Sequence, residues 1–171
     1  MARWGRVDFE QLKRLQKQMQ KLERAKFDKF CEECAKEIAA RLLAKVIKRT
    51  VVADPSKWKT PVKGYVGGTL RRGWTAKTHA EAESGSGKGA SAVSFAQGLQ
   101  VTKRGNVYEI LVINPVEYAS YIEYGHRTRN HKGWVKGHFM MTISANEVER
   151  QAPKIIEKKL TKFLGEVFDA D

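Results

Sequence analysis

NPVEYASYIEYGHR, residues 114–127, carries the clearest secondary-structure signals in this sequence. Asn114 is a residue type that caps helices, Pro115 suits the first helical position, and Glu117 follows the cap by three residues. Gly125 suits a helix end, because glycine adopts the left-handed conformation without strain. The stretch therefore predicts a short helix over 114–124, whose core-facing side chains are Val116, Ala119 and Ile122.

Two apolar segments before this helix, 93–101 and 107–113, have the composition of strands. Arg104-Gly105-Asn106 between them has the composition of a hairpin turn. After the helix, the basic and glycine-containing segment 126–137 predicts a loop. These elements predict a small antiparallel sheet beside the short helix.

Two long helices are predicted at the ends of the chain. Apolar residues recur at three- and four-residue steps over 8–49, and Asp8 with Gln11 resembles a capping box. A similar stripe predicts a last helix from near Phe139 to about Phe168, which Pro153 should kink or split. The predicted fold class is therefore α+β, with helices packed on one face of a small antiparallel sheet.

The chain divides into two regions by composition. The stripe in the first half of the N-terminal helix is narrow and its flanks are rich in lysine and glutamine, which predicts a helical arm over 1–29 that packs on another subunit. Residues 30–171 form a single α+β domain in this interpretation. A flexible Gly/Ser-rich loop is expected within it at 77–92, because small polar residues bury little apolar area.

The charge of the chain is strongly basic, with 32 Lys and Arg against 19 Asp and Glu and a formal net charge of +13. The excess lies entirely in the first 105 residues, since residues 106–171 hold 9 basic and 9 acidic side chains. No apolar run approaches the roughly 20 residues that span a membrane. The composition predicts a soluble intracellular protein with an acidic partner, and nucleic acid, an acidic protein surface and an assembly partner all fit.

The cysteines and histidines raise the alternative of a metal site. Cys31 and Cys34 lie three residues apart in a helical pattern, and His126, His131 and His138 are the candidate partners. More than ninety residues separate the two groups, whereas zinc fingers place them about a dozen apart. We interpret both cysteines as small core residues of a protein in a reducing compartment, and expect no metal ion or cofactor.

Catalytic patterns are weak. A metal-dependent nuclease needs clustered carboxylates, and the loop 126–137 contains none. Residues 84–89, SGSGKG, lack the spacing and the strand–loop–helix context of a phosphate-binding loop. The sequence therefore favours a protein that is not an enzyme.

Nucleic-acid binding is the main competing interpretation. Cations alternate with aromatic residues in two places, a mixture that grips phosphates and stacks on bases. No recognised DNA-binding motif is present. The residues that carry this alternative are Arg71, Arg72, Trp74, Arg127, Arg129, Lys132 and Trp134.

Three runs of the sequence resemble the gene-product-ten-like family of tailed phages and defective prophages. They are Gly68-Thr69-Leu70-Arg71-Arg72-x-Trp74, then Val112-Ile113-Asn114 followed by Tyr118-Ala119-x-Tyr121-Ile122-Glu123-x-Gly125-His126-Arg127, and Gly133-Trp134-Val135-x-Gly137-x-Phe139-Met140. Members of that family are small neck or tail-completion proteins without assigned catalytic residues.

The resemblance implies a structural virion protein of the phage neck or tail. It implies an oligomeric ring, expected to be a hexamer, that contacts head connector or adaptor proteins and tail tube or tail terminator proteins, with DNA passing through the lumen. The alternative is a basic DNA-binding accessory protein acting in packaging or assembly. The residues expected at subunit or partner interfaces are Arg71, Arg72, Trp74, Tyr118, Tyr121, Glu123, Tyr124, His126, Arg127, Arg129 and Trp134.

Overall fold

A computed structural model describes residue 13 and residues 24–54, 67–84 and 91–168. The described elements, in chain order, are α1 (Arg24–Arg49), α2 (Thr69–Gly73), α3 (His79–Ser84), α4 (Ala92–Gln97), β1 (Val101–Arg104), β2 (Val107–Ile110), α5 (Ala119–Tyr124), β3 (Gly125–Arg127), β4 (Trp134–Lys136) and α6 (Met140–Phe168).

The two long helices, α1 and α6, pack against each other in antiparallel directions. Near the start of α1, the ring of Phe30 stacks on Phe163 with 4.7 Å between the ring centroids. At the end of α1, Arg49 donates hydrogen bonds of 2.6 Å to both Ser144 and Glu147, near the start of α6. Early residues of one helix thus meet late residues of the other, and Pro153 lies inside an unbroken α6.

The hydrophobic core lies where α1 and α6 meet the short helices. Thr50, which follows α1 directly, is fully buried, and its hydroxyl donates to the carbonyl of Val46 and accepts from Trp74 Nε1 at 2.8 Å. Trp74 therefore fills the core with its indole N–H satisfied. The largest apolar members of the core are Leu43, Val46, Leu70, Trp74, Val116 and Met140.

Within the described residues, the strands form two separate two-stranded antiparallel sheets. In the first sheet, β1 pairs with β2 through a turn in which Gly105 adopts a φ of 61°. Asp28 on α1 accepts hydrogen bonds from Lys103 and from the Tyr108 hydroxyl, so it ties this sheet to the first long helix.

The predicted α+β class and the hairpin turn at residues 104–106 are confirmed. The last long helix is confirmed, and the first is confirmed over 24–49, while the earlier part of its predicted range lies largely outside the described residues. The predicted strand over 93–101 is wrong, because residues 92–97 form α4, and the strand begins only at Val101. The Ser91 hydroxyl accepts a hydrogen bond from the backbone of Ser94 and caps this helix. Burial of Ala96 in the core then holds it in place.

Two further local predictions require correction. Residues 79–84 form α3 with Ala82 fully buried, so this part of the predicted flexible loop is wrong, and the Gly/Ser residues 85–90 lie outside the described residues. The short helix begins at Ala119 instead of following Asn114. The Asn114 side chain accepts from the backbone of Val116 and donates to the carbonyl of Leu70, so it joins two segments of chain.

The N-terminal arm predicted over 1–29 falls largely outside the described residues, and the division into arm and domain stays a prediction. Within the part of the chain that the structure describes, no helix is long and apolar enough to cross a membrane.

Ion pairs between the long helices lower the pKa of two carboxyl groups. Glu37 accepts hydrogen bonds from Lys159 and Arg41, which lower its pKa below the ordinary value. Glu147 accepts a hydrogen bond of 2.8 Å from Lys45, which lowers its pKa in the same direction. A carboxyl group whose pKa is lower in the folded state stabilises the fold above its unfolded pKa, and that contribution disappears as the pH falls through the folded pKa.

We therefore expect the free energy of unfolding to be constant near neutral pH and to fall as the pH drops below about 4.5. The double variant Glu37→Gln/Glu147→Gln should be less stable at pH 7 and should lose less stability on acidification. Denaturant unfolding at a series of pH values measures both effects. The control Glu32→Gln/Glu149→Gln changes two exposed carboxyl groups and should follow the unmodified protein. Identical pH profiles for the two double variants would contradict the assignment.

Candidate functional site

Residues 125–136 form a β-hairpin where the sequence predicted a loop. Strands β3 and β4 pair antiparallel, with Gly125 opposite Lys136 and Arg127 opposite Trp134. Thr128 closes the turn, since its backbone N–H donates to the carbonyl of Gly133 and its hydroxyl accepts from the Gly133 N–H, both at 3.0 Å. The segment therefore has regular secondary structure, with a defined pairing register between β3 and β4.

The base of the hairpin is fixed to the C-terminus of α5 and to the start of α6. Gly125 ends α5 with a φ of 86°, and a side chain there would clash with the carbonyl oxygen of Val135. Gly137 packs so closely on Glu123 and Tyr124 that a side chain would not fit. The N–H of His138 donates to the carbonyl of Ile122 at 2.8 Å. Both ends of the hairpin thus leave the same small region of the fold.

Glu123 connects the short helix to the last long helix. Its carboxylate is buried and accepts hydrogen bonds from the backbone N–H groups of Met141 and Thr142, both at 2.9 Å, and from the Thr142 hydroxyl at 2.7 Å. The N-terminus of a helix carries unpaired N–H groups and a partial positive charge, so a carboxylate there is strongly favoured. Glu123 therefore caps α6 from a different helix.

The outer face of the hairpin and the adjoining turns of α5 are exposed. Trp134 is 62% exposed, which is unusual for the largest apolar side chain. The hairpin also carries four exposed cations, Arg127, Arg129, Lys132 and Lys136, and no Asp or Glu occurs between residues 126 and 137. We call this the hairpin surface and define it by Tyr121, Tyr124, Arg127, Arg129, Lys132, Trp134 and Lys136.

The structure brings together about half of the residues expected at interfaces. Arg127 lies opposite Trp134 in the hairpin, and Arg129 lies in its turn. Tyr121 and Tyr124 are exposed on the adjoining α5, and the half-buried His126, which lies on the other face of the hairpin from Trp134, contacts Tyr121 edge-on with 5.8 Å between the ring centroids. Tyr118 is exposed just before α5. Lys132 and Lys136 complete the set of cations.

The remaining expected interface residues make contacts within the chain. Trp74 and Glu123 are buried, so neither is available to a partner of the folded chain. Arg72 donates hydrogen bonds to the carbonyls of Ala82 and Gly67, and Arg71 donates to the carbonyl of Thr50. Glu123 was expected at an interface, whereas its carboxylate oxygens face the start of α6.

The candidate metal ligands do not converge. Among the described residues, no three His, Cys, Asp or Glu side chains lie close enough to hold a metal ion. Cys31 and Cys34 are free thiols on α1, and burial raises the pKa of both. Both thiols are therefore protonated at neutral pH.

Comparison with known proteins places this α+β chain in a class of phage structural components. The family model described as "Bacteriophage HK97-gp10, putative tail-component" matches residues 13–125, about two thirds of the chain. The chain therefore belongs to the HK97 gp10-like family, and the resemblance found in the sequence is confirmed. The match ends at the first residue of β3. Searches of curated proteins and of solved structures found no match.

Loss of the Glu123 cap should weaken the whole fold. Glu123→Ala removes three hydrogen bonds and leaves the backbone N–H groups of Met141 and Thr142 without this acceptor, so we expect a loss of about 2 kcal/mol in the free energy of unfolding. Glu123→Gln keeps one acceptor oxygen but loses the charge, and should cost about 1 kcal/mol.

The neighbouring Tyr124→Ala is the matched control, because that side chain is exposed and should change stability by less than about 0.5 kcal/mol. Chemical denaturation of the three variants measures these differences. Equal stability of Glu123→Ala and Tyr124→Ala would refute the capping role.

Proposed function

We propose that this protein is a structural component of the phage neck, present in the virion as an oligomeric ring. In this role the ring completes the tail and joins it to the head connector. Membership of the tail-component family supports the setting. The observation that carries the finer proposal is the hairpin surface, which projects from a fixed base and lacks a cover within the described chain.

The composition of the hairpin surface suits contact with another macromolecule. Burial of a tryptophan stabilises by about 2–3 kcal/mol, so the exposure of Trp134 favours association. Four cations with no carboxylate between residues 126 and 137 favour an acidic partner. A central aromatic residue surrounded by a charged rim is the usual arrangement of an energetically important contact. The tyrosines of α5 add contact area at low entropic cost.

The same surface argues for a role without catalysis. Metal-assisted hydrolysis needs several converging ligands, and among the described residues no three His, Cys, Asp or Glu side chains lie close enough to hold a metal ion. The buried carboxylate nearest to the hairpin, Glu123, already accepts three hydrogen bonds. We infer that the hairpin binds and does not catalyse.

The alternative is a DNA-binding accessory protein that acts during packaging or assembly. The net charge of +13 and the four hairpin cations favour it. The bases of duplex DNA are stacked on one another and cannot stack on protein side chains. A duplex that contacts the hairpin through its phosphates alone would therefore leave Trp134 and the tyrosines exposed. This observation makes an acidic protein surface the better partner for the hairpin.

The double variant Trp134→Ala/Arg127→Ala should fold normally and should reduce the yield of joined, infectious particles at least tenfold. Both side chains are exposed, so their loss removes contact area and charge without disturbing the core. Complementation of a phage or prophage that lacks the protein, followed by particle counting in the electron microscope, measures the yield. Circular dichroism of the isolated variant checks its fold.

The matched control is Val93→Ala/Arg150→Ala, which removes an exposed apolar and an exposed basic side chain outside the hairpin and should leave the yield unchanged. A normal particle yield from the hairpin variant would contradict the proposed contact. Loss of salt-dependent binding to duplex DNA, with joining intact, would favour the accessory-protein alternative. Loss of a measurable DNA hydrolysis would overturn the structural interpretation altogether.

A further inference from the structure

The extended segment 107–113 presents an apolar face to solvent. Exposed and half-buried residues alternate along it, and the exposed set is Val107, Glu109, Leu111 and Ile113. Leu111 is 74% exposed and Ile113 is 59% exposed, while the alternate residues face the core. An amphipathic strand normally turns its polar residues outward, so an outward stripe of three large aliphatic side chains indicates a contact surface.

One edge of this segment lacks a partner strand within the described residues. The sheet contains two strands, and β1 occupies one side of β2 in a register that ends at the pair Val101 and Ile110. Residues 111–113 continue beyond that pair. An open strand edge carries unpaired backbone N–H and C=O groups and readily accepts a strand from another chain.

Strand β4 has the matching properties. It also lies in a two-stranded sheet, and all three of its residues are exposed, whereas Gly125 and His126 of β3 are half-buried. Trp134 and Lys136 point to one face, because alternate residues of a strand share a face. Within its own chain β4 pairs with β3 and not with β2, and the contacts of Gly137 and His138 with α5 fix the end of β4.

We propose that β4 of one copy pairs along the open edge of residues 107–113 of the next copy. This inference rests on the proposed ring, because a contact between two different surfaces of the same chain propagates head to tail and closes into a ring when the rotation permits. Trp134 would cover Leu111 and Ile113 on the shared face of the extended sheet.

Charge complementarity supports a second copy as the occupant. Glu109 belongs to the exposed face of 107–113, and its ion pair with Arg104 is long, at 3.7 Å, and exposed. On the hairpin, Lys136 and Arg127 share the face of Trp134. The two surfaces are therefore complementary. The segment 107–113 carries an aliphatic stripe with a carboxylate, and the hairpin carries an aromatic ring with cations.

A cysteine scan tests this pairing. In a Cys31→Ser/Cys34→Ala background, Leu111→Cys is combined in turn with a cysteine at position 134, 135 or 136. Strand pairing places residues 134 and 136 on the face of Leu111 and residue 135 on the opposite face. Mild oxidation of the assembled protein should therefore form disulfide-linked dimers, trimers and longer oligomers when the second cysteine is at 134 or 136. The amount of linked oligomer should be at least tenfold lower when the second cysteine is at 135.

The outcomes are read on denaturing gels and by native mass spectrometry. Three results would overturn the pairing. They are equal cross-linking at positions 134, 135 and 136, a disulfide within one chain, and dimers formed by Leu111→Cys alone. An assembled oligomer without any cross-link would also overturn it, but would leave the proposed ring intact. A protein that stays monomeric even inside particles would overturn both. As an independent check, Glu109→Lys and Lys136→Glu should each reduce assembly, and together they should restore it.

Discussion

The hydrogen bonds from the start of the last helix to the buried carboxylate of Glu123 are the interaction on which the rest of this structure depends. They join the end of α5 to the N-terminus of α6. Both ends of the hairpin leave the fold at this junction, so its direction is fixed by the same contact. A buried carboxylate is tolerated there because the helix N-terminus satisfies its charge and its acceptor oxygens together.

The remainder of the fold supports that junction. The ion pairs and ring stack between α1 and α6 set the direction of the last helix, and the Thr50–Trp74 hydrogen bond holds α2 against the end of α1. Asn114 then links the chain before α5 to α2. A projection held in this way loses little conformational entropy when a partner binds, and more of the contact energy appears as affinity. The hairpin surface is thus suited to assembly.

Structural features that are set by residues close together in sequence were predictable. Features that depend on contacts with residues far away in sequence were not. The stripe of apolar residues predicted both long helices, and Gly125 was recognised as the end of α5 because its requirement is local. Glu123 looked like a surface residue, since nothing near it shows that a helix beginning 17 residues later points at its carboxylate. Strands β3 and β4 have three residues each, and a strand this short is not recognisable from the alternation of apolar and polar residues. The apolar segment 93–101 has the composition of a strand, although residues 92–97 form a helix that Ser91 caps.

The two tryptophans with most bearing on the site differ in burial, although their sequence surroundings are similar. Trp74 and Trp134 each stand beside arginines or lysines in the sequence, and composition assigned both to a contact surface. In the fold, Trp74 finds Thr50 and the core, whereas Trp134 lies on a hairpin that extends away from it. Only the tertiary structure distinguishes the buried tryptophan from the exposed one here.

Hydrogen–deuterium exchange of the protein, free and within assembled particles, tests the central claim that the hairpin is the contact between molecules. The account predicts that assembly slows exchange most strongly over residues 125–137, while the helices α1 and α6 are protected equally in both states. Unchanged exchange over 125–137, with new protection confined to other segments, would contradict it.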